Sequence, residues 1–168
     1  MIGFMPRLIE RISCCVILPL VLLNCSDSSQ HDESRELAVQ AYGELISQDV
    51  LDLDEVDHLR FCLAEDTGDQ DYTDPPDTIV SEVKAKTARD VRPISECDTE
   101  WLVDRVPRKD LDRLDVMLWL RQMAISEEKA TATIVASGRY GHRMQFFCEF
   151  ARGETGWSIV SVNQGVIE

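Results

Sequence analysis

The fold is decided by residues 114–164, LDVMLWLRQMAISEEKATATIVASGRYGHRMQFFCEFARGETGWSIVSVNQ. This stretch contains four apolar or alternating segments, which are separated by SEE, GRYG and RGETG. Each separator contains residues that favour turns. Strands joined by such short connections lie antiparallel to each other, so the stretch predicts a four-stranded meander.

Two helices and one more strand are predicted before this meander. Apolar side chains recur every three or four residues from Glu33 to Gln48, the period of one helical face. The segment DPPDTIVSEVKAKT, residues 74–87, begins with an Asp cap and early prolines and predicts a second helix from about Pro75 to Lys86. Alternation from Leu59 to Leu63 predicts a half-buried strand.

These elements together predict the fold class. A meander needs one of its faces covered, and the two helices are the available cover. We therefore expect an α+β domain in which two helices pack on a curved antiparallel sheet with a C-terminal four-stranded meander.

Several segments resemble known groups of proteins. The order helix, strand, helix and meander, ending in a Trp-containing strand, resembles nuclear-transport-factor-2-like and cystatin-like domains. DPPDTIV (74–80), VRPISEC (91–97) and GETGWSIVSV (153–162) look like segments of small exported bacterial proteins of unknown function. The resemblance implies a cone-shaped α+β domain, an architecture that hosts enzymes, binding modules and structural subunits alike.

The N-terminus has the anatomy of a signal peptide, with the initiator at Met1 or Met5. Arg7 and Arg11 precede an apolar run of 12 residues, 12–23, and polar residues follow at once. A membrane-spanning helix needs about 20 apolar residues, so this run, which contains a proline, is too short to be a convincing permanent span.

The run ends in LLNC, residues 22–25, which resembles the lipobox of bacterial lipoproteins. That resemblance implies lipidation of Cys25 after removal of residues 1–24, although lipoboxes usually carry Gly, Ala or Ser where this chain has Asn24. Ser26 then implies an outer-membrane destination, facing the periplasm. Residues 25–34 are expected to form a flexible tether, and residues 35–168 a single domain. The alternative is an ordinary cleaved signal with an incidental Cys25.

Charge is spread unevenly along the chain, whose formal net charge is −14. Residues 27–77 carry 16 Asp or Glu against two Arg, whereas residues 78–168 carry 14 against 13 Lys or Arg. Nucleic-acid binding depends on Lys and Arg that displace counterions, so nucleic acid is not an expected partner.

Three cysteines follow Cys25 in the chain. In an oxidising compartment we expect a disulfide between Cys62 and Cys97, which leaves Cys148 as a free thiol. The alternative is three reduced cysteines buried as small hydrophobic residues.

Candidate chemistry is sparse. Cys148 and His142 lie six residues apart on one strand, about 20 Å, too far for a nucleophile and its base. No cysteine or histidine pair has the spacing of a zinc motif, and no cofactor motif occurs. The acidic loop offers oxygen ligands for weak calcium binding, against the alternative of a solvated loop; the candidates are Asp66, Asp69, Asp71 and Asp74.

The functional expectation follows from the leader and from the lack of a reactive constellation. We expect an envelope-anchored, non-catalytic module that binds a protein or ligand or is structural, held to the membrane by an N-terminal lipid. The alternative is an enzyme with a small pocket in a cone-shaped domain, lined by residues such as Leu118, Phe146 and Phe150. Filling of the core by these three side chains is the competing interpretation.

Overall fold

The computed structural model describes residues 19–48, 59–68, 72–97, 114–137 and 143–166. Within these ranges the chain forms two α-helices, a short 3-10 helix and seven strands, which confirms the predicted α+β class. The elements in chain order are α1 (Pro19–Ser47), β1 (Leu59–Asp66), β2 (Tyr72–Thr73), α2 (Asp77–Thr87), β3 (Asp90–Pro93), the 3-10 helix (Ile94–Glu96), β4 (Leu114–Ile125), β5 (Lys129–Ser137), β6 (Arg143–Gly153) and β7 (Gly156–Val166).

The sheet has the strand order β2-β1-β4-β5-β6-β7, with β3 paired to β1 beside β2. Strands β4 to β7 form the predicted antiparallel meander. The prediction of a wholly antiparallel sheet was wrong, because β1 pairs in parallel with both β3 and β4. Parallel neighbours need a long crossover, and α2 lies in the connection from β1 to β3. The sheet is therefore mixed.

The main core lies between one sheet face and the two helices. From α1 it takes apolar side chains at the predicted helical spacing, including the fully buried Leu37, Tyr42 and Leu45. From α2 it takes Ile79 and Val83. Alternate residues of the meander complete it, so the period-2 pattern points one set of side chains at the helices. A smaller cluster lies on the opposite face, formed by Cys62, Ala64, Ile94, Met117, Trp119 and Val135.

Both helices start at other positions than predicted. α1 begins at Pro19 rather than Glu33, so residues 25–34, predicted as a flexible tether, are helical. That stretch contains neither Gly nor Pro, the two strongest helix breakers. The compact unit that contains the sheet nevertheless begins at Glu33.

α2 begins at Asp77 with Pro76 in the N-cap position and without a side-chain capping hydrogen bond. The Asp cap predicted at the head of this segment is therefore wrong. The carboxylate of Asp74 instead accepts hydrogen bonds from the backbone N–H (2.9 Å) and the hydroxyl (2.6 Å) of Ser95. It thus holds the 3-10 helix rather than α2.

Candidate binding edge on strand β7

Strand β7 forms one border of the sheet. It pairs with β6 on one side, and no other strand of the described residues pairs with its outer side. Its 11 residues, GWSIVSVNQGV, include no charged residue and no proline. Edge strands are usually blunted by charge, proline or bulges because their open N–H and C=O groups template further pairing. Here the register shifts where Glu149 pairs with Ser161 and Phe150 with Ile159, so Val160 is an extra residue of β7 and forms a bulge that blunts this edge.

A groove of about 500 Å³ runs between β7 and the helices. Its walls are one stretch of the edge strand and polar side chains of α1 and α2. The residues that line it are Gln40, Glu44, Gln48, Lys86 and residues 157–162. A groove of this size beside an open strand is large enough for a short extended peptide or a small ligand.

The wall beside α1 consists of Gln40 and Glu44 of α1 and of Gln48, which directly follows the helix; Glu36 continues this i, i+4 spacing but is not part of the groove lining. The Gln40 amide donates to Glu36 Oε1 at 3.1 Å and to the carbonyl oxygen of Trp157 at 2.9 Å. The Gln48 amide donates to Glu44 Oε1. Gln40 thereby occupies one acceptor of the β7 backbone, and it fixes the distance between α1 and the edge strand.

The α2 wall of the groove is the side chain of Lys86. A Cβ added to Gly43 of α1 would lie 3.0 Å from Lys86 Cδ, so the lysine stem crosses α1 where no side chain stands. The long stem packs while the ammonium stays in solvent, as amphipathic side chains do. Among the described residues, the charged side chains that line the groove are therefore Lys86 and Glu44.

Two large apolar side chains near this edge are exposed. Val160 of β7 has 64% of its surface exposed, and Phe147 of β6 has 43%. Phe147 leans over Gly165, because a Cβ there would lie 2.7 Å from Phe147 Cε2. Both β6 and β7 thus expose one large apolar side chain, and that of Phe147 covers the backbone of Gly165.

The opposite end of the sheet carries the predicted disulfide between Cys62 of β1 and Cys97, which follows the 3-10 helix. The two Cα atoms are 6.2 Å apart, and the sequence separation is 35 residues. The carboxylate of Asp115 lies within 4.8 Å of both sulfur atoms. This bridge closes the segment that contains α2 and β3 onto the central strand β1.

Charged side chains surround the disulfide. Arg60 lies 3.4 Å from Asp90 and 3.9 Å from Asp115, measured between nitrogen and oxygen atoms. Arg92 contacts Asp90 at 2.9 Å and Glu96 at 3.0 Å. Hydrogen bonding to Arg92 is the main cause that lowers the pKa of Asp90, and Arg60 contributes in the same direction.

The predicted calcium ligands divide into two groups. Asp66 accepts a hydrogen bond from the N–H of Gly68 at 2.8 Å, and Asp74 holds Ser95 as described above. Asp69 and Asp71 lie outside the described residues. Asp66 and Asp74 thus have roles within the fold, and calcium binding stays a prediction.

The suggested pocket residues fill the core. Leu118, Phe146 and Phe150 are at most 2% exposed and pack in the cluster between the sheet and the helices. Cys148 is fully buried in the same cluster, and burial raises its pKa to about 11. A thiol in that state is a poor nucleophile. His142 lies outside the described residues.

The exposed edge of β7 was not predicted from the sequence. The one visible signal was an uncharged 11-residue segment in a chain of net charge −14. Its position at the border of the sheet depends on the strand order, which the local pattern does not contain.

Comparison with protein-family models, with curated proteins and with solved structures found no match. Among the described residues, no helix is both long and apolar enough to span a bilayer.

Proposed function

We propose that the protein is an exported lipoprotein whose domain is held to the cell envelope through Cys25 and binds an extended segment of another envelope protein along β7. The observation that carries the binding role is the open, uncharged edge of β7 beside the groove. Backbone groups of such an edge can pair with a partner strand, and the neighbouring side chains select it.

Export is supported by two independent features. The leader has the order of a signal peptide that ends at a lipobox-like LLNC. The bridge between Cys62 and Cys97 is of a kind that persists outside the cytoplasm, where thiols are not kept reduced. A domain held by acyl chains would stay on the membrane, since each buried CH₂ contributes about 0.8 kcal/mol.

The charges around the groove indicate what kind of partner segment binds there. On the α1 side the groove is lined by the carboxylate of Glu44, with Lys86 on the α2 side, and the net charge of the chain is −14. β7 itself adds no charge of either sign. The partner segment is therefore extended, pairs through its backbone, and carries Lys or Arg side chains toward α1.

Photocrosslinking in intact cells tests this role. A photoreactive amino acid at Val160 is expected to give an adduct with one envelope protein, whereas the same group at the exposed Ser81 of α2 is not. Glu44→Gln should lower the adduct yield, and Glu127→Gln, in the turn between β4 and β5, should not. In isolated envelopes the yield should fall as salt screens the charges.

Three outcomes contradict the binding role. The first is an equal adduct from Ser81, and the second is a yield that neither salt nor Glu44→Gln changes. The third is an adduct with a second copy of this chain, which would make β7 a self-pairing edge instead.

Fractionation tests the anchor separately. The native chain is expected in the membrane fraction, and Cys25→Ala is expected to leave it. An unchanged distribution of Cys25→Ala would remove the lipid anchor from the proposal while leaving the β7 edge untouched.

A further inference from the structure

Three potential metal ligands from three parts of the chain meet on the sheet face opposite the helices. They are Cys62 of β1, Cys97 after the 3-10 helix and Asp115 of β4, and their ligand atoms lie within 4.8 Å of one another. The sequence separations of 35 and 18 residues match no zinc motif, so only the fold brings this set together. We propose that, when the disulfide is reduced, these three side chains bind one zinc ion.

The backbone around the two cysteines does not depend on the S–S bond alone. β1 carries Cys62 between the parallel strands β3 and β4. Cys97 follows Ile94, which is buried, and Ser95, which Asp74 holds through two hydrogen bonds. Reduction therefore leaves two thiols facing each other across a Cα–Cα distance of 6.2 Å.

This geometry fits a tetrahedral zinc ion. Zn–S bonds are about 2.3 Å and Zn–O bonds about 2.0–2.2 Å, so side-chain rotations are sufficient to separate the sulfur atoms. Cys97 is partly exposed, which gives a path for the ion and for a water molecule as fourth ligand. Sites with three protein ligands and one open position are a known zinc arrangement.

Two thiolates, one carboxylate and Zn²⁺ sum to −1. The guanidinium of Arg60 lies 3.9 Å from Asp115 Oδ2, and it also contacts Asp90 at 3.4 Å, so it offsets part of the negative charge at the site. A group in that position orients a ligating carboxylate from outside the metal's first shell.

The redox step requires a dithiol reductant. The reductant's two thiols become a disulfide while the Cys62–Cys97 bond takes up two electrons and two protons. Zinc then displaces both thiol protons as it binds. Oxidation of the pair by a disulfide donor reverses the sequence and releases Zn²⁺, so the site would link metal content to thiol redox state.

Cobalt and zinc binding test the proposal on the full-length chain carrying Cys14→Ser, Cys15→Ser and Cys25→Ser, kept in detergent. After anaerobic reduction, Co²⁺ should produce thiolate charge-transfer and tetrahedral absorption bands at one ion per chain. Zinc should displace the cobalt, and the oxidised protein should give no bands. Asp115→Asn should weaken zinc affinity at least about tenfold. Cys148→Ser, whose thiol lies on the other sheet face, should leave it unchanged.

Circular dichroism of the reduced chain is recorded in parallel. Loss of the sheet signal on reduction would overturn the proposal, since the site then would not exist without the bridge. So would a folded, reduced chain without stoichiometric cobalt bands. If Asp115→Asn gives the same cobalt bands and the same affinity, Asp115 is not a ligand, and this result would contradict the three-ligand site.

Discussion

The hydroxyl of Tyr42 donates a 2.7 Å hydrogen bond to the carbonyl oxygen of Ala64, which ties α1 to β1 inside the core. The hydroxyl oxygen of Tyr42 in turn accepts a hydrogen bond from the N–H of Leu120 at 3.0 Å, where the register between β4 and β5 shifts. A bulge disrupts the ladder of backbone hydrogen bonds, and the phenol supplies an acceptor at this point. One buried side chain thus links a helix with two neighbouring strands.

Removal of this hydroxyl should destabilise the fold. Tyr42→Phe keeps the ring but leaves the carbonyl of Ala64 and the N–H of Leu120 without this buried partner. We expect the free energy of unfolding to fall by about 2–4 kcal/mol, measured by urea denaturation. Tyr72→Phe is the control, since that ring is only half-buried, and its effect should be clearly smaller. Equal effects would contradict the assigned role of the hydroxyl.

The disulfide should contribute stability through the loop that it closes. The sequence separation of 35 residues corresponds to about 4 kcal/mol in the chain-entropy model. Cys62→Ala/Cys97→Ala should lose about this amount, and a reducing agent should then cause no further loss. Urea denaturation with and without reductant measures both. A reductant effect that survives in the double variant would place the redox-sensitive group elsewhere.

One alanine is in an unfavourable backbone conformation. Ala88, the C-cap of α2, has φ 55° and ψ 24°, in the left-handed region that favours glycine. Ala88→Gly should therefore stabilise the protein by about 1 kcal/mol. Ala85→Gly, within the same helix and exposed, should cost about 1 kcal/mol. Thermal unfolding should shift in opposite directions, and a shift of the same sign would contradict the explanation.

The thiol of Cys148 should stay unreactive until the protein unfolds. Burial raises its pKa to about 11, and Glu44 acts in the same direction. The pKa of Cys148 is higher in the folded than in the unfolded protein. The protonated thiol therefore contributes its full stabilisation below the unfolded pKa, and this contribution is lost as the pH rises toward 11. A thiol reagent at pH 8 should modify Cys148 quickly in urea and very slowly without it. Fast modification of the native protein would contradict the burial.

The local elements were predictable because their signals are local. The period of α1 predicts its end within one residue of the observed Ser47, and the apolar or alternating segments between turn residues place all four meander strands close to their observed positions. The parallel pairing of β1 was missed, because nothing within residues 59–66 specifies which strand lies beside them. The start of α1 at Pro19 was not predicted, because residues 26–34 contain no bulky apolar residue whose spacing would indicate a helix.

The disulfide could be predicted from the sequence, whereas the other candidate sites could not. The Cys62–Cys97 bridge followed from the count of cysteines and the expected compartment. Neither the β7 groove nor the approach of Asp115 to the bridge has a sequence motif. Each depends on which strands are neighbours, and this is a property of the whole sheet. Tyr42 lies on the helical face predicted within residues 33–48, but the two hydrogen bonds of its hydroxyl were not predicted.

Intact-mass and peptide mass spectrometry of the protein from cell envelopes tests the central claim most directly. An exported, lipid-held domain predicts that the mature chain begins at Cys25, carries the mass of attached acyl chains on that residue, and contains the peptides of Cys62 and Cys97 joined by a disulfide. A mature chain that begins elsewhere, or an unmodified Cys25 in a chain whose Cys62 and Cys97 are both reduced, would contradict it.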